Sequence, residues 1–252
     1  MKSFLKYTYT LALIAILAEL PAYADESGDF EQRVAKVWAK GNKTISLGYT
    51  TGSFDMGANL QGKLDSRWGL TFNSTRNYYL HRKPIAGLLK FGLEWGTNIN
   101  YMNFEKGSGS LKDIANSMDG DEAPSLGTHY MAAGIALGPT ITVAPFIHAS
   151  SLNLARLKFR AFFHVVPSYA AFITSNEDET NFHSAFCCFF AGGLNVQWRK
   201  LNIGFEYKYG RAKYSDMMSD LVSDEVPDKI FYNGGKPKFN AEMLTFSIGL
   251  AL

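Results

Sequence analysis

The chain has 252 residues, of which 46% are hydrophobic, 14% aromatic and 19% charged, with a formal net charge of +2. That balance excludes a disordered chain, which is poor in aromatics and strongly charged. It also excludes a polytopic helical membrane protein, because the one long apolar run is N-terminal. The near-neutral charge gives no sign of a nucleic-acid partner. The unusual pairing is 23 glycines beside 36 aromatic residues.

Residues 1–24 read as a secretory signal peptide. Lys2 and Lys6 form a basic start, Thr8 to Leu20 an apolar stretch, and Ala22-Tyr23-Ala24 the small residues at −3 and −1 of a cleavage site. The run is too short to span a bilayer and ends at Pro21. The mature chain then carries 23 bases and 22 acids. Export permits disulfides, yet the only cysteines are the neighbours Cys187 and Cys188. On a strand they point to opposite faces, and metal-ligand spacing is lacking. No cofactor or metal is expected.

Residues 25–42 are expected to form a short periplasmic segment, helical because Phe30, Val34, Val37 and Trp38 fall at i, i+4, i+7 and i+8, with Gly41 as a stop. The helix should lie under or against the body of the protein. From Lys43 the period becomes two. Ile45, Leu47 and Tyr49 alternate with Thr44, Ser46 and Gly48, and Trp68, Leu70 and Phe72 with Arg67, Gly69 and Thr71. The third segment, expected from about Pro84 to Phe104, sets Ile85 and Leu89 through Tyr101 against Lys90, Glu94 and Asn98. Met131 to Leu137, Leu157 to Val165, Leu194 to Trp198, Leu201 to Tyr209 and Leu244 to Leu252 repeat the pattern.

Eight such strands cross a bilayer at about 9–11 residues each. Three connections are expected to be tight, at Leu80–Pro84, Ala149–Asn153 and Arg199–Lys200. Four are expected to be long, at Ser53–Gly62, Glu105–Ser125, Ser168–Asn181 and Lys213–Pro237. Short turns at one rim and long loops at the other suit a transmembrane barrel. The glycines favour that over a soluble barrel. Gly48, Gly69, Gly92, Gly96 and Gly134 share the polar face, whereas Gly87 and Gly192 share the apolar one. Glycine weakens a water-facing strand, but in a narrow eight-stranded lumen it makes room for Lys90, Lys158 and Arg160. Tyr78, Tyr79 and Trp198 then mark the short-turn boundary, and Trp68, Tyr101, Tyr169, Tyr209 and Tyr214 the other.

The signal peptide, the eight alternating segments and the terminal Met243-Leu-Thr-Phe-Ser-Ile-Gly-Leu-Ala-Leu252 resemble the small eight-stranded outer-membrane β-barrel proteins of Gram-negative bacteria. The resemblance implies an all-β fold: an antiparallel up-and-down transmembrane barrel over residues 43–252, in the bacterial outer membrane. It implies outer-membrane lipids and lipopolysaccharide as neighbours, the barrel assembly machinery as a partner during insertion, and an extracellular surface ligand as a further candidate partner. Such families usually end in Phe or Trp, and this chain ends in Leu252.

The four long loops carry net charges of −1, −3, −3 and −2, so the rest of the mature chain is strongly basic. The lumen parity collects Arg67, Lys90, Arg156, Lys158, Arg160 and Lys208 against Asp65, Glu94 and Glu206. A buried charge needs a partner, so a structural charge network of Arg67, Lys90, Glu94, Lys158, Arg160, Glu206 and Lys208 is expected. The alternative is a narrow anion-preferring channel. Asp119-Gly-Asp-Glu122 and Asn176-Glu-Asp-Glu179 lack the spacing of a calcium loop. Two His–Ser pairs, His148 with Ser150 and His164 with Ser168, raise a lipid A-modifying enzyme as a second alternative. Neither has a nearby acid on the expected outer rim, so no catalytic residue is assigned. The expected role is non-enzymatic: membrane integrity, adhesion or surface interaction.

Overall fold

A computed structural model describes residues 27–39, 42–55, 63–104, 127–175, 180–213 and 238–252. The segment expected to be a signal peptide, both acidic runs and Tyr214 lie outside the described residues. Helix α1 (Ser27–Trp38) precedes strands β1 (Lys43–Asp55), β2 (Lys63–Tyr79), β3 (Leu89–Phe104) and β4 (Gly127–Val143). A one-turn helix α2 (Leu152–Ala155) leads into β5 (Leu157–Ser175), β6 (Thr180–Trp198), β7 (Leu201–Lys213) and β8 (Lys238–Ala251).

The eight strands form a closed antiparallel up-and-down barrel in chain order. β1 and β8 close it from Thr44↔Ala251 to Asp55↔Asn240. Beyond that ladder, the Leu252 amide donates to the Lys43 carbonyl at 2.8 Å. Burial alternates residue by residue; in β3 it does so from Leu89 to Phe104. The apolar set of each strand points out. Leu47, Leu137, Phe186, Leu194, Phe246 and Ile248 are all more than half exposed. A coat of large apolar side chains around a barrel with polar groups inside is the build of outer-membrane barrels. The chain crosses the membrane with strands; among the described residues no helix is long and apolar enough to do so.

Several boundaries differ from the sequence expectation. β3 begins at Leu89, because Ile85–Leu88 form a turn in which Ala86 and Gly87 take φ of 50° and 75°. Gly87 therefore belongs to no strand face. β5 and β6, each 19 residues, extend through much of the segment expected as the third long loop. The cause lies inside the barrel. Toward the long-loop rim the inward side chains are themselves apolar: Phe54, Met102, Tyr130, Val166, Ala170, Phe172 and Phe189 form one buried cluster. Where both faces of a strand are apolar, the polar–apolar contrast that marks a strand disappears.

Candidate functional site

The interior is layered from the long-loop rim to the turn rim. The outermost layer is aromatic. The Phe54 ring lies 5.4 Å from Phe104, 4.8 Å from Tyr130 and 5.0 Å from Phe172. Tyr130 and Phe172 are fully buried. Rings tilted or edge-on at these separations attract one another, so they cap the lumen.

Below them runs a girdle of hydroxyls and amides. Thr50 bonds to Thr71 and, at 2.8 Å, to Thr245. Thr71 donates to Asn100 at 2.9 Å, Asn100 to Asn98 at 2.6 Å, and Asn98 to Asn73 at 2.5 Å. The Lys208 ammonium enters this chain by donating to Asn98 at 2.6 Å and Asn100 at 3.3 Å. It also lies 3.3 Å from Glu206. Next comes the buried pair of Arg160 and Glu94, 3.0 Å apart and almost unexposed. Glu94, Glu206 and His164 border a cavity of about 30 Å³, room for one or two waters.

At the turn rim the lumen is closed by α1. Val37 and Trp38 pack with Ala144, Ile147 and Ala155. The Trp38 indole donates to the Gly87 carbonyl at 3.0 Å, and Arg33 donates to the Ala149 carbonyl at 2.8 Å. The Lys90 ammonium sits 5.3 Å from the Trp38 ring and 4.8 Å from Tyr79, and donates to the Arg82 carbonyl at 2.8 Å. The Lys158 ammonium is 5.7 Å from the same Trp38 ring. All three ring contacts fall within the range of cation–π attraction.

Of the seven side chains expected in a lumen charge network, Lys90, Glu94, Lys158, Arg160, Glu206 and Lys208 are buried inside. Arg67 is not. The β2–β3 register shifts between Ser66 and Trp68, which carries Arg67 to the exposed side. Asp65 is likewise exposed. Sequence reading also missed Trp38 as the cover of the two lysines. Its clue was the end-of-helix position on the apolar stripe.

The His–Ser pairs do not assemble. His164 and Ser168 face inward from one strand, four residues and so about 13 Å apart. His164 stacks on Phe162 at 4.6 Å, and the Ser168 hydroxyl donates to the Val166 carbonyl at 3.0 Å. His148 stacks on Phe30 of α1 at 5.0 Å, on the turn side. Among the described residues no group of three His, Cys, Asp or Glu side chains could hold a metal ion.

The outer wall carries one polar–aromatic cluster near the long-loop rim. Trp68, Tyr101 and His129 stand side by side, with ring centroids 5.4 and 6.0 Å apart. The Tyr101 hydroxyl and the Asn103 amide nitrogen both address His129 Nδ1, at 2.8 and 3.2 Å. This is the composition of a membrane-interface belt.

Fold and interior together define a transmembrane β-barrel with a packed lumen. No family model and no curated protein matches the chain. Solved structures do resemble it. Ail, the attachment invasion locus protein of Yersinia pestis, in complex with the heparin analogue sucrose octasulfate, aligns over 84% of this chain and 99% of its own, at 13% identity and a TM-score of 0.44. Neisserial surface protein A aligns over 83% and 96%, at 8% identity and 0.42. The outer membrane protease OmpT of Escherichia coli aligns over 83% and 95%, at 9% identity and 0.45.

Proposed function

We propose that this chain is an integral protein of the Gram-negative outer membrane with a non-enzymatic role in membrane integrity, adhesion or surface interaction. The observation that carries this reading is the interior. It is capped by aromatic rings at one rim and by α1 at the other, with ion pairs and amides between. A barrel filled in this way works through its outer wall and its loops. The Trp68–Tyr101–His129 cluster, with its ring faces and polar edges on the outer wall, suits contact with sugar and phosphate headgroups at the outer leaflet. The inward-facing charges Lys90, Glu94, Lys158, Arg160, Glu206 and Lys208 then act as structural ballast of the lumen, while Arg67 belongs to the outer surface.

The test compares cells with and without the gene. Their lipid A should have the same mass spectrum, and cells lacking the protein should take up more of a hydrophobic fluorescent probe or lose attachment to host-like surfaces. An acyl chain lost from lipid A in a His164-dependent manner would overturn the reading in favour of an enzyme.

A further inference from the structure

We propose that α1 is a detachable stopper in the turn-side mouth, and that the vestibule beneath it, lined by Lys90, Thr142, Lys158 and Arg160, receives small anions when the helix lifts. This goes beyond a role for the outer surface, and it rests on the build of the turn rim.

A hairpin between adjacent strands needs two residues, and Arg199–Lys200 has two. The other two turns on this rim run from Leu80 to Leu88 and from Ala144 to Arg156. Their extra length makes a cradle. Phe30 of α1 stacks on His148, Arg33 donates to the Ala149 carbonyl and Trp38 to the Gly87 carbonyl. Gly87 is the tightest point. Its φ of +75° suits glycine, and a Cβ there would come within 2.8 Å of the Phe30 ring.

The contacts that hold α1 are separate from those that hold the barrel. The ring of strand pairings closes without the helix. Twelve residues are too few to form a stable helix alone, so α1 owes its order to the cradle. It can leave while the wall stays intact.

Beneath it the buried charge of the described residues is mostly cationic. Among the described residues the buried side chains include four cations, Lys90, Lys158, Arg160 and Lys208, and two carboxylates, Glu94 and Glu206. Both carboxylates lie deeper, against Arg160 and Lys208. Lys90 and Lys158 both approach the Trp38 ring at the mouth, Lys90 also donating to the Arg82 carbonyl. Thr142 is fully buried, its neighbours in register being Lys90 on β3 and Arg160 on β5. Lifting Trp38 replaces a ring face by water and whatever anion the water carries. The aromatic cap at the far rim remains, so the vestibule is blind.

The experiment places a thiol at Thr142→Cys in a Cys187→Ala, Cys188→Ala background, refolded in detergent micelles. Its rates of modification by an anionic sulfonate and a cationic trimethylammonium methanethiosulfonate are each normalised to the rate with free mercaptoethanol. With α1 seated, both should be slow. Trp38→Ala combined with Phe30→Ala should raise the sulfonate rate at least tenfold, leave the cationic reagent several-fold behind, and lose that preference in Lys90→Gln, Lys158→Gln. Folding is checked by heat-dependent gel mobility. If the Trp38 variant fails to fold, Phe30→Ala with Arg33→Ala, both outside the barrel wall, supplies the same comparison. Equal rates with α1 seated and lifted would refute the stopper. A lifted helix with no preference for the sulfonate would refute the anion site.

Discussion

Two neighbouring glycines on β6 show how finely the lumen is filled. A Cβ on Gly193 would run into the Phe162 ring and the Phe205 carbonyl, whereas one on Gly192, pointing out, meets nothing nearer than 3.9 Å. Gly193→Val should therefore destabilise by about 1–3 kcal/mol through overpacking, and Gly192→Val should leave stability nearly unchanged. Guanidinium unfolding followed by tryptophan fluorescence in vesicles separates the two. The sequence places these glycines on opposite faces, but not their neighbours. The room at Gly193 serves Phe162, and that at Gly210 serves Phe189, rather than the lysines. Which inward side chain crowds which glycine depends on the stagger between strands, and that is a property of the closed ring.

The buried pair of Arg160 and Glu94 makes a second case at the same scale. Arg160→Ala leaves the buried Glu94 carboxylate without its cation, at a cost of about 3–5 kcal/mol. Replacing both partners, as Arg160→Met with Glu94→Leu, should recover most of that loss, because the desolvation of two charges disappears with them. The same unfolding assay reads it, and a double variant no more stable than Arg160→Ala would show that the pair does more than balance charge. Alternation placed both residues in the lumen, but the same parity misplaced Arg67. A one-residue bulge reverses the face of what precedes it, and no residue near Ser66 announces it.

Among the elements, α1 and the turns depend most on one another. Gly87→Val would hold a β-branched residue at positive φ and push on Phe30 and Val34 together. The expected outcome is a barrel that still shows its heat-dependent mobility, with an α1 cut earlier by trypsin at Arg33 and Lys36. The helix itself was legible, since its apolar residues recur at helical spacing. Its seat was less so. Ile85 and Leu89 match a strand's alternation, and only a turn three-dimensionally occupied by a helix explains why Ile85–Leu88 leave the sheet. At the other rim, β5 and β6 outrun their sequence signal for a related reason. Ala170, Phe172, Ala185 and Phe189 turn apolar side chains inward, which erases the contrast on which strand reading depends.

For the whole molecule, the outer coat sets the energetic scale. Leu137 is more than half exposed on the middle of β4, and Leu137→Arg should cost about 2–4 kcal/mol in a bilayer. The same residue type is native at Arg211, exposed near the loop rim on β7, where headgroups solvate it. Vesicle unfolding of Leu137→Arg, beside a control Arg211→Leu of small effect, checks the placement of the hydrocarbon slab. Reconstituted in planar bilayers, the intact protein should give no steady single-channel steps. The barrel was legible from period two and the segregation of glycine from aromatics, whereas two of the three turns expected to be tight run from Leu80 to Leu88 and from Ala144 to Arg156. The two-sided closure of its lumen was not, because it arises from side chains of five strands and a helix meeting across the axis.

The closing ladder brings the two ends of the barrel together. Lys43 and Leu252 exchange backbone hydrogen bonds at the seam between β1 and β8, on the rim that also holds the short Arg199–Lys200 turn. A linker of a few residues could join them. Opening the chain at Arg199–Lys200 would then give a circular permutant with every strand neighbour preserved, β7 as its first strand and β6 as its last. At equilibrium such a protein, joined through Lys43 and so lacking α1, should be as stable as the parent apart from the new linker and the lost helix contacts. In the cell it would present a different final strand for insertion. Comparing refolding yield in vesicles with assembly in living cells would thus separate what the ring needs to exist from what the order of synthesis needs to build it.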